Sequence, residues 1–267
     1  MRGWNRSMAE FLDVLGRDAW EAVKMGYYET VKEFTLNASL SLKEAVLRCT
    51  GAPIITEIKV ASPSLGVIKE NVEVRKVALA MEEGGAVGLS FLTEPKHFEG
   101  SLDALSEARS QVELPILMKD IIVSQSQIDA AARIGANAVL LMAQLFKREY
   151  CECDLQSMIT YVHSYGLEVL LEAHTEEEFL SALKTEADLI GINNRNLENL
   201  EVNLDVTRTI LTKHPTKEKL VVSESGIQNP ADIRFLHQCG AHAFLVGSSI
   251  MKASNIEKKV KELVTTL

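Results

Sequence analysis

Eight short runs rich in Val, Ile and Leu recur along the chain, and a longer amphipathic stretch follows each of them. The runs are 54–59 (IITEIK), 86–93 (AVGLSFLT), 115–120 (PILMKD), 138–143 (AVLLMA), 167–173 (LEVLLEA), 187–193 (ADLIGIN), 219–225 (KLVVSES) and 241–249 (AHAFLVGSS). Most are continuously apolar, the pattern of parallel strands covered on both faces. The stretches 70–84, 101–112, 124–135, 147–165, 175–185, 204–213, 229–239 and 254–265 read as surface helices. SQSQIDAAARIGA, for example, begins with a Ser cap and ends at Gly135. Eight strand–helix units predict an α/β fold of the (β/α)8, or TIM, barrel type. A doubly wound sheet is the alternative, and both the count of eight and the punctuation of each unit argue against it.

A barrel of this kind runs to roughly 250 residues as one domain, which suits a chain of 267. Residues 51–267 are read as the barrel and 1–50 as an N-terminal helical extension packed on it, with helices over 7–35 and 40–49. Trp4, Phe11, Leu12, Trp20, Val23 and Tyr27 supply its apolar contacts. They would either plug the bottom of the barrel or cover its mouth. A net charge of −9 argues against nucleic acid or an anionic membrane as partner. No apolar run nears the roughly 18 residues that span a bilayer, and MRGWNRSMAEFL has no signal-type apolar core. The four cysteines are too sparse for a disulfide framework, and Cys151 and Cys153 lack the second pair that a metal site needs. A cytoplasmic protein without a metal is expected.

In such barrels chemistry sits at the C-terminal ends of the strands. The charged residues of these runs gather there: Glu57 and Lys59, then Lys119 and Glu172; Asn193 and Arg195 follow the sixth run, and Glu224 with Ser225 ends the seventh. Glu57 and Lys59 are two apart, so both point to one face of their strand. A lone ion is costly to bury, whereas a cluster can satisfy itself and a ligand. Two lysines and two or three carboxylates around one cavity are the equipment of general acid–base catalysis. A salt-bridge network capping the core is the competing reading, and Glu224 suits it most readily. At the ends of the last two strands stand Ser225-Gly226 and Gly247-Ser248, where barrels of this type frequently hold a phosphate on backbone N–H groups.

These motifs resemble the indole-3-glycerol phosphate synthase family over about residues 40–265. TEIKVASPSLGVI is similar to that family's E-x-K-x-x-S-P-S signature. FLTEPKHFEGSLDAL, LPILMKD, LLEAHTEEE, GINNRNLENLEVNL, SESGI and VGSSIM follow in order. The resemblance implies ring closure, decarboxylation and dehydration of 1-(2-carboxyphenylamino)-1-deoxyribulose 5-phosphate, with no cofactor. It implies a catalytic set of Glu57, Lys59, Lys119, Glu172 and Asn193. Lys119 would be the acid of ring closure, Lys59 an acid and anchor beside the phosphate, and Glu57 with Glu172 would handle later protons. As an acid near neutrality, Lys119 is expected to have a lowered pKa. Ser62, Ser225, Gly226, Gly247, Ser248 and Lys59 would hold the phosphate. Asn193 and Arg195 would hold the sugar hydroxyls and the carboxylate, and Pro63, Phe98, Leu140, Leu197 and Leu200 the aromatic ring.

The chain departs from the family pattern at Val60 and Leu65, where basic residues are usual, at Ile121, where an aromatic is usual, and at Asn196, where Asp is common. None is a proposed proton-transfer group. Phosphoribosylanthranilate isomerase, a rival on the same barrel, would place a Cys at the end of the first strand and an Asp at the end of the sixth; here stand Glu-Ile-Lys and Asn-Asn-Arg. A non-catalytic barrel binding a phosphorylated ligand would not need the four charged groups. The expected partner is a small phosphorylated substrate. The protein is expected to be a monomer or weak oligomer, with a complex among tryptophan-pathway enzymes left open.

Overall fold

Each apolar run becomes a strand: β1 Ile54–Ile58, β2 Gly88–Leu92, β3 Ile116–Lys119, β4 Ala138–Met142, β5 Glu168–Ala173, β6 Leu189–Asn193, β7 Leu220–Glu224 and β8 Ala243–Val246. In the computed structural model, which describes residues 8–31, 33–34, 40–59, 61–62, 66–67, 73–197 and 199–267, these strands pair in parallel and in sequence order. β1 pairs with both β2 and β8, so the sheet closes into a barrel. The register puts the polar strand ends at one level. Glu57 lies opposite Ser90, Leu92 opposite Lys119, Glu172 opposite Gly191 and Asn193 opposite Glu224.

The helices are α1 Met8–Lys24, α2 Leu42–Arg48, α3 Val74–Glu83, α4 Leu102–Arg109, α5 Gln125–Arg133, α6 Ala143–Lys147, α7 Leu155–Ser164, α8 Glu176–Ala182, α9 Asp205–Lys213, α10 Pro230–Gln238, α11 Ser248–Met251 and α12 Ile256–Val264. Side-chain caps start many of them. Ser124 with Gln127 and Asn229 with Asp232 form full capping boxes, and Ser101, Asp154, Thr175 and Asn255 cap singly. Three sequence expectations need correction. The helix expected over 147–165 starts only at Leu155, where Asp154 caps it, and a separate short helix, α6, has ended at Lys147. The run 241–249 stops being strand at Val246, and its last residues turn into α11. The helix expected over 7–35 ends at Lys24, and Gly26, at φ 74°, turns the chain into a short 3-10 segment at Tyr27–Glu29. Ala61–Ser62 and Gly66–Val67 form a small antiparallel hairpin after β1. Trp4 lies outside the described residues.

Inside the barrel, Ile55, Leu117, Leu140, Leu170, Leu189, Val222 and Leu245 form a stack that continues into helices at both ends. At the N-terminal end α2 contributes Leu42 and Val46. A Cβ on Gly88, the first residue of β2, would come within 2.5 Å of Leu42 Cδ1. The Glu168 carboxylate, at the start of β5, caps α2. It accepts hydrogen bonds from Leu42 N at 2.7 Å, Lys43 N at 3.0 Å and the Ser41 hydroxyl. At the opposite end α1 adds Leu12, Leu15 and Ala19. It is tied down by Trp20 Nε1 donating to Tyr150 O (2.7 Å), by Asp13 with Arg148 (2.9 Å), and by Asp18 with His97 and Lys96. The extension therefore grips both ends, α2 as a plug and α1 at the mouth. No described helix is long and apolar enough to cross a membrane.

Because three donors converge on one carboxylate at a helix N-terminus, Glu168→Ala is expected to cost about 2 kcal/mol. Urea unfolding should show a lower midpoint at an unchanged slope.

Candidate active site

At the C-terminal ends of the strands lies a cavity of about 880 Å³. Its floor is ionic. Glu57 is buried between two ammonium groups, with Lys59 Nζ 2.7 Å from Oε1 and Lys119 Nζ 3.1 Å from Oε2. Lys119 reaches further, to 3.2 Å from Glu224 Oε2. Burial by itself would raise the Glu57 carboxyl, but Lys119 and Lys59 outweigh it and hold the group down to about 2.

Lys119 reverses an expectation. Burial pushes its ammonium down, yet Glu57, Glu224 and Glu172 together push it above the ordinary lysine value. The lowered pKa expected of an acid is absent, because three carboxylates face this lysine. Lys119 is a fixed cation in the free site.

On the other side of the floor, Glu172 Oε2 accepts a hydrogen bond from Asn193 Nδ2 at 3.0 Å. Burial raises Glu172, against the opposing pull of Lys119 and Asn193. Glu224 is wholly buried, and burial raises it to about 7 in spite of Lys119. Two close approaches make room for these carboxylates. A Cβ on Gly191 would stand 2.1 Å from Glu224 Oε1. One on Gly247 would stand 2.8 Å from Glu57 Oε1 and 3.1 Å from Lys59 Cε. Gly247 thus has a physical reason to be glycine beyond any phosphate contact.

The loops after β6, β7 and β8 form one wall, where Ser225, Gly226, Gly247 and Ser248 all line the cavity. Ser225 and Gly226 both have positive φ, 67° and 88°, and a side chain on Gly226 would strike Val202. Asn194 fixes this turn. Its Nδ2 donates to Ser223 Oγ and Glu224 O at 2.9 Å and to Ser225 O at 3.2 Å, while its Oδ1 accepts from Thr207. Arg195 lines the same wall, with Nη1 donating to Leu200 O at 2.9 Å and its backbone N–H to Asn193 Oδ1 at 3.0 Å.

Phe98, Leu140, Leu197 and Leu200 line the apolar side, joined by Phe11 and Leu15 of α1 and by Ile121 and Met142. Every site residue expected from the sequence faces this one cavity except Ser62 and Pro63; Pro63 and the Ser62 side chain lie outside the described residues. Several contributors were not anticipated. Glu94 accepts the N–H groups of Lys96, His97 and Phe98 (2.7–3.0 Å) and so shapes the turn that presents Phe98. Asp120 accepts from Thr93 Oγ1 (2.5 Å), Tyr28 Oη (3.0 Å) and Ile121 N (2.7 Å), and burial raises it to about 7. Its place directly after Lys119 was the available signal. Among the described residues no cluster of His, Cys, Asp or Glu has the makings of a metal site.

A family model described as indole-3-glycerol phosphate synthase matches residues 22–263. The chain belongs to the indole-3-glycerol phosphate synthase family. Its similarity to individual members is high. The indole-3-glycerol phosphate synthase of Methanocaldococcus jannaschii is 46% identical over 214 residues, 79% of this chain and 77% of that protein. That of Desulforamulus reducens is 36% identical over 258 residues, 91% of this chain and 96% of that one. The chain is accordingly a carbon–carbon lyase of tryptophan biosynthesis. Among solved structures, a thiamine phosphate pyrophosphorylase from Pyrococcus furiosus aligns with a TM-score of 0.59 at 20% identity, over 85% of this chain and 97% of that one. At that identity the likeness concerns the fold alone.

The raised Glu224 carboxyl gives a signed expectation. The folded state keeps a proton that the unfolded chain loses near 4.5, so Glu224 adds stability that is full below 4.5 and is lost as pH rises through about 7. Urea unfolding of the wild type should therefore gain stability between pH 8 and pH 5 relative to Glu224→Gln. Equal pH slopes in the two proteins would mean that Glu224 is ionised throughout.

Proposed function

We propose that this cavity closes the indole ring on 1-(2-carboxyphenylamino)-1-deoxyribulose 5-phosphate, with the ionic floor transferring protons and the β7–β8 wall holding the phosphate. The observation that carries this reading is the Lys119 ammonium, shared between Glu57 and Glu224, at the floor of the cavity that also contains Ser225-Gly226 and Gly247-Ser248. Ser62, Lys59 and those four residues are assigned to the phosphate. Arg195, with a planar two-bond fork, is assigned to the substrate carboxylate, and Asn193 to the sugar. Phe98, Leu140, Leu197 and Leu200 are assigned to the slot for the ring, and Pro63, outside the described residues, is assigned to it from the sequence.

The steps follow from the charges. The ring carbon bearing the carboxylate attacks the sugar ketone, and the ketone oxygen becomes an alkoxide. Lys119 is a poor acid towards water, being held protonated by carboxylates, but an alkoxide is a far stronger base than water. The ammonium stabilises the developing charge and gives up its proton as the C–C bond forms. Carbon dioxide then leaves and the aromatic ring is restored. In the last step the new hydroxyl leaves as water, with Lys59 as acid, while the adjoining carbon loses a proton to a carboxylate. Glu172 is the better base, because its carboxyl is raised; Glu57, clamped between two lysines at about 2, serves to hold them. No step calls on a metal or an organic cofactor.

The test is indole fluorescence on mixing protein with the deoxyribulotide. Lys119→Ala should lower turnover by about 10²–10⁴-fold while substrate affinity stays within a few-fold. Near-normal turnover of that variant would remove Lys119 from the chemistry. Absence of any signal from the wild type at high concentration would favour a barrel that binds a phosphorylated ligand without transforming it.

A further inference from the structure

We propose that His174 is a positioning residue for Glu172: its imidazole, behind the cavity wall, donates from Nε2 to Glu172 Oε1 and so keeps that carboxylate ready to accept a proton. The inference rests on Glu172 acting as the base of the dehydration. His174 follows β5 directly, is 7% exposed, and does not line the cavity. Its Nε2 stands 3.4 Å from Glu172 Oε1 and its Nδ1 3.9 Å from Glu178 Oε2. Neither ring nitrogen has an aligned hydrogen-bond partner among the described residues. Buried polar atoms are nearly always satisfied, and an imidazole retained only to fill space would have no reason to lie between two carboxylates.

Glu172 is the nearer of the two carboxylates, at 3.4 Å against 3.9 Å for Glu178. Glu178 is already committed, its Oε2 accepting the His174 backbone N–H at 2.7 Å and its Oε1 accepting Gln144 Nε2 at 3.0 Å. Glu172 has Oε2 bound to Asn193, also shares a hydrogen bond with the Glu224 carboxyl, and turns Oε1 to the ring. The charged groups acting on the ring are Glu178 on α8, Glu224 on β7, Lys119 on β3 and Glu172 itself. Burial lowers the imidazole, so the ring is neutral and carries one N–H. At 3.4 Å, Nε2 lies within reach of Glu172 Oε1, and the bond requires that N–H to point along this line. Donation to the charged form stabilises the ionised carboxylate, which is the state a base must start from.

The experiment compares His174→Phe, which keeps the bulk and loses the donor, with His174→Gln, which restores a donor. Single-turnover rates with the deoxyribulotide are measured from pH 5 to 9, alongside substrate affinity and melting temperature. His174→Phe is expected to slow the single turnover about tenfold at neutral pH with affinity within twofold. Its acid limb should move up by about half to one pH unit, the equivalent of one lost hydrogen bond. His174→Gln should recover most of the rate and return the limb. An unmoved acid limb, a loss confined to affinity, or a Gln variant no better than Phe would overturn the proposal. If the Phe variant does not fold, His174→Met fills similar space without a donor and is read in the same way. Glu172→Gln separates the two levels. Near-normal turnover there overturns both the base assignment and this inference, whereas an inactive Glu172→Gln beside an unaffected His174→Phe overturns the inference alone.

Discussion

The Lys119 ammonium, held between Glu57 and Glu224, is the interaction on which the rest of this site depends. Its three members come from β3, β1 and β7, which meet only because the barrel closes. Removing these ions from water is expensive, and their mutual attraction offsets that cost only with close contact and good geometry. The fold supplies both. Parallel strands aim every C-terminal end at one mouth, and glycines at 191 and 247 leave the space that the Glu224 and Glu57 side chains occupy. Breaking one member would leave a buried charge unpaired, so the array is stable as a set and costly in part.

Once that cation is fixed, the carboxylates around it fall into different states. Glu57 touches two ammonium groups and is driven to about 2, while Glu224 shares one of them in a fully enclosed position and rises to about 7. Glu172 lies farther from the lysines, backed by an amide and an imidazole, and also rises. Groups of one chemical type pushed apart by their surroundings are the means by which a single site holds acids and bases together. Here the separation arises from how many cations each carboxylate meets, a property of barrel geometry and not of residue type.

The barrel was legible in the sequence because continuous apolar runs of strand length alternate with capped amphipathic stretches, and each run did become a strand. The errors came at boundaries, where a local cap decides. Asp154 restarts a helix, and Gly247-Ser248 leaves the strand for a helix although VGSS reads as a continuation. The polar strand ends were legible for the same reason, since Glu57, Lys119, Glu172 and Asn193 interrupt apolar runs at matching places. His174, Glu94 and Asn194 were not. Each lies one or two residues past a strand, where sequence gives no sign of which way a side chain turns. The direction of the Lys119 shift was also out of reach, because it depends on counting the carboxylates within reach of its nitrogen.

The apolar side of the cavity shows why the extension belongs to the site's physics. Ile121 lines this side, and a branched aliphatic chain offers an aromatic ligand no ring face or edge. Phe11, from a helix before the barrel, and Phe98, from the loop after β2, face the same space. Their supports are joined: His97, next to Phe98, pairs with Asp18 of α1 at 2.6 Å, and the His97 ring meets Phe11 edge-on with centroids 6.1 Å apart. Glu94 fixes the backbone of the same turn. Seating α1 and shaping the apolar wall are therefore one packing event. The apolar wall is thus built from both sides of the junction between extension and barrel, and its shape depends on how firmly α1 is docked.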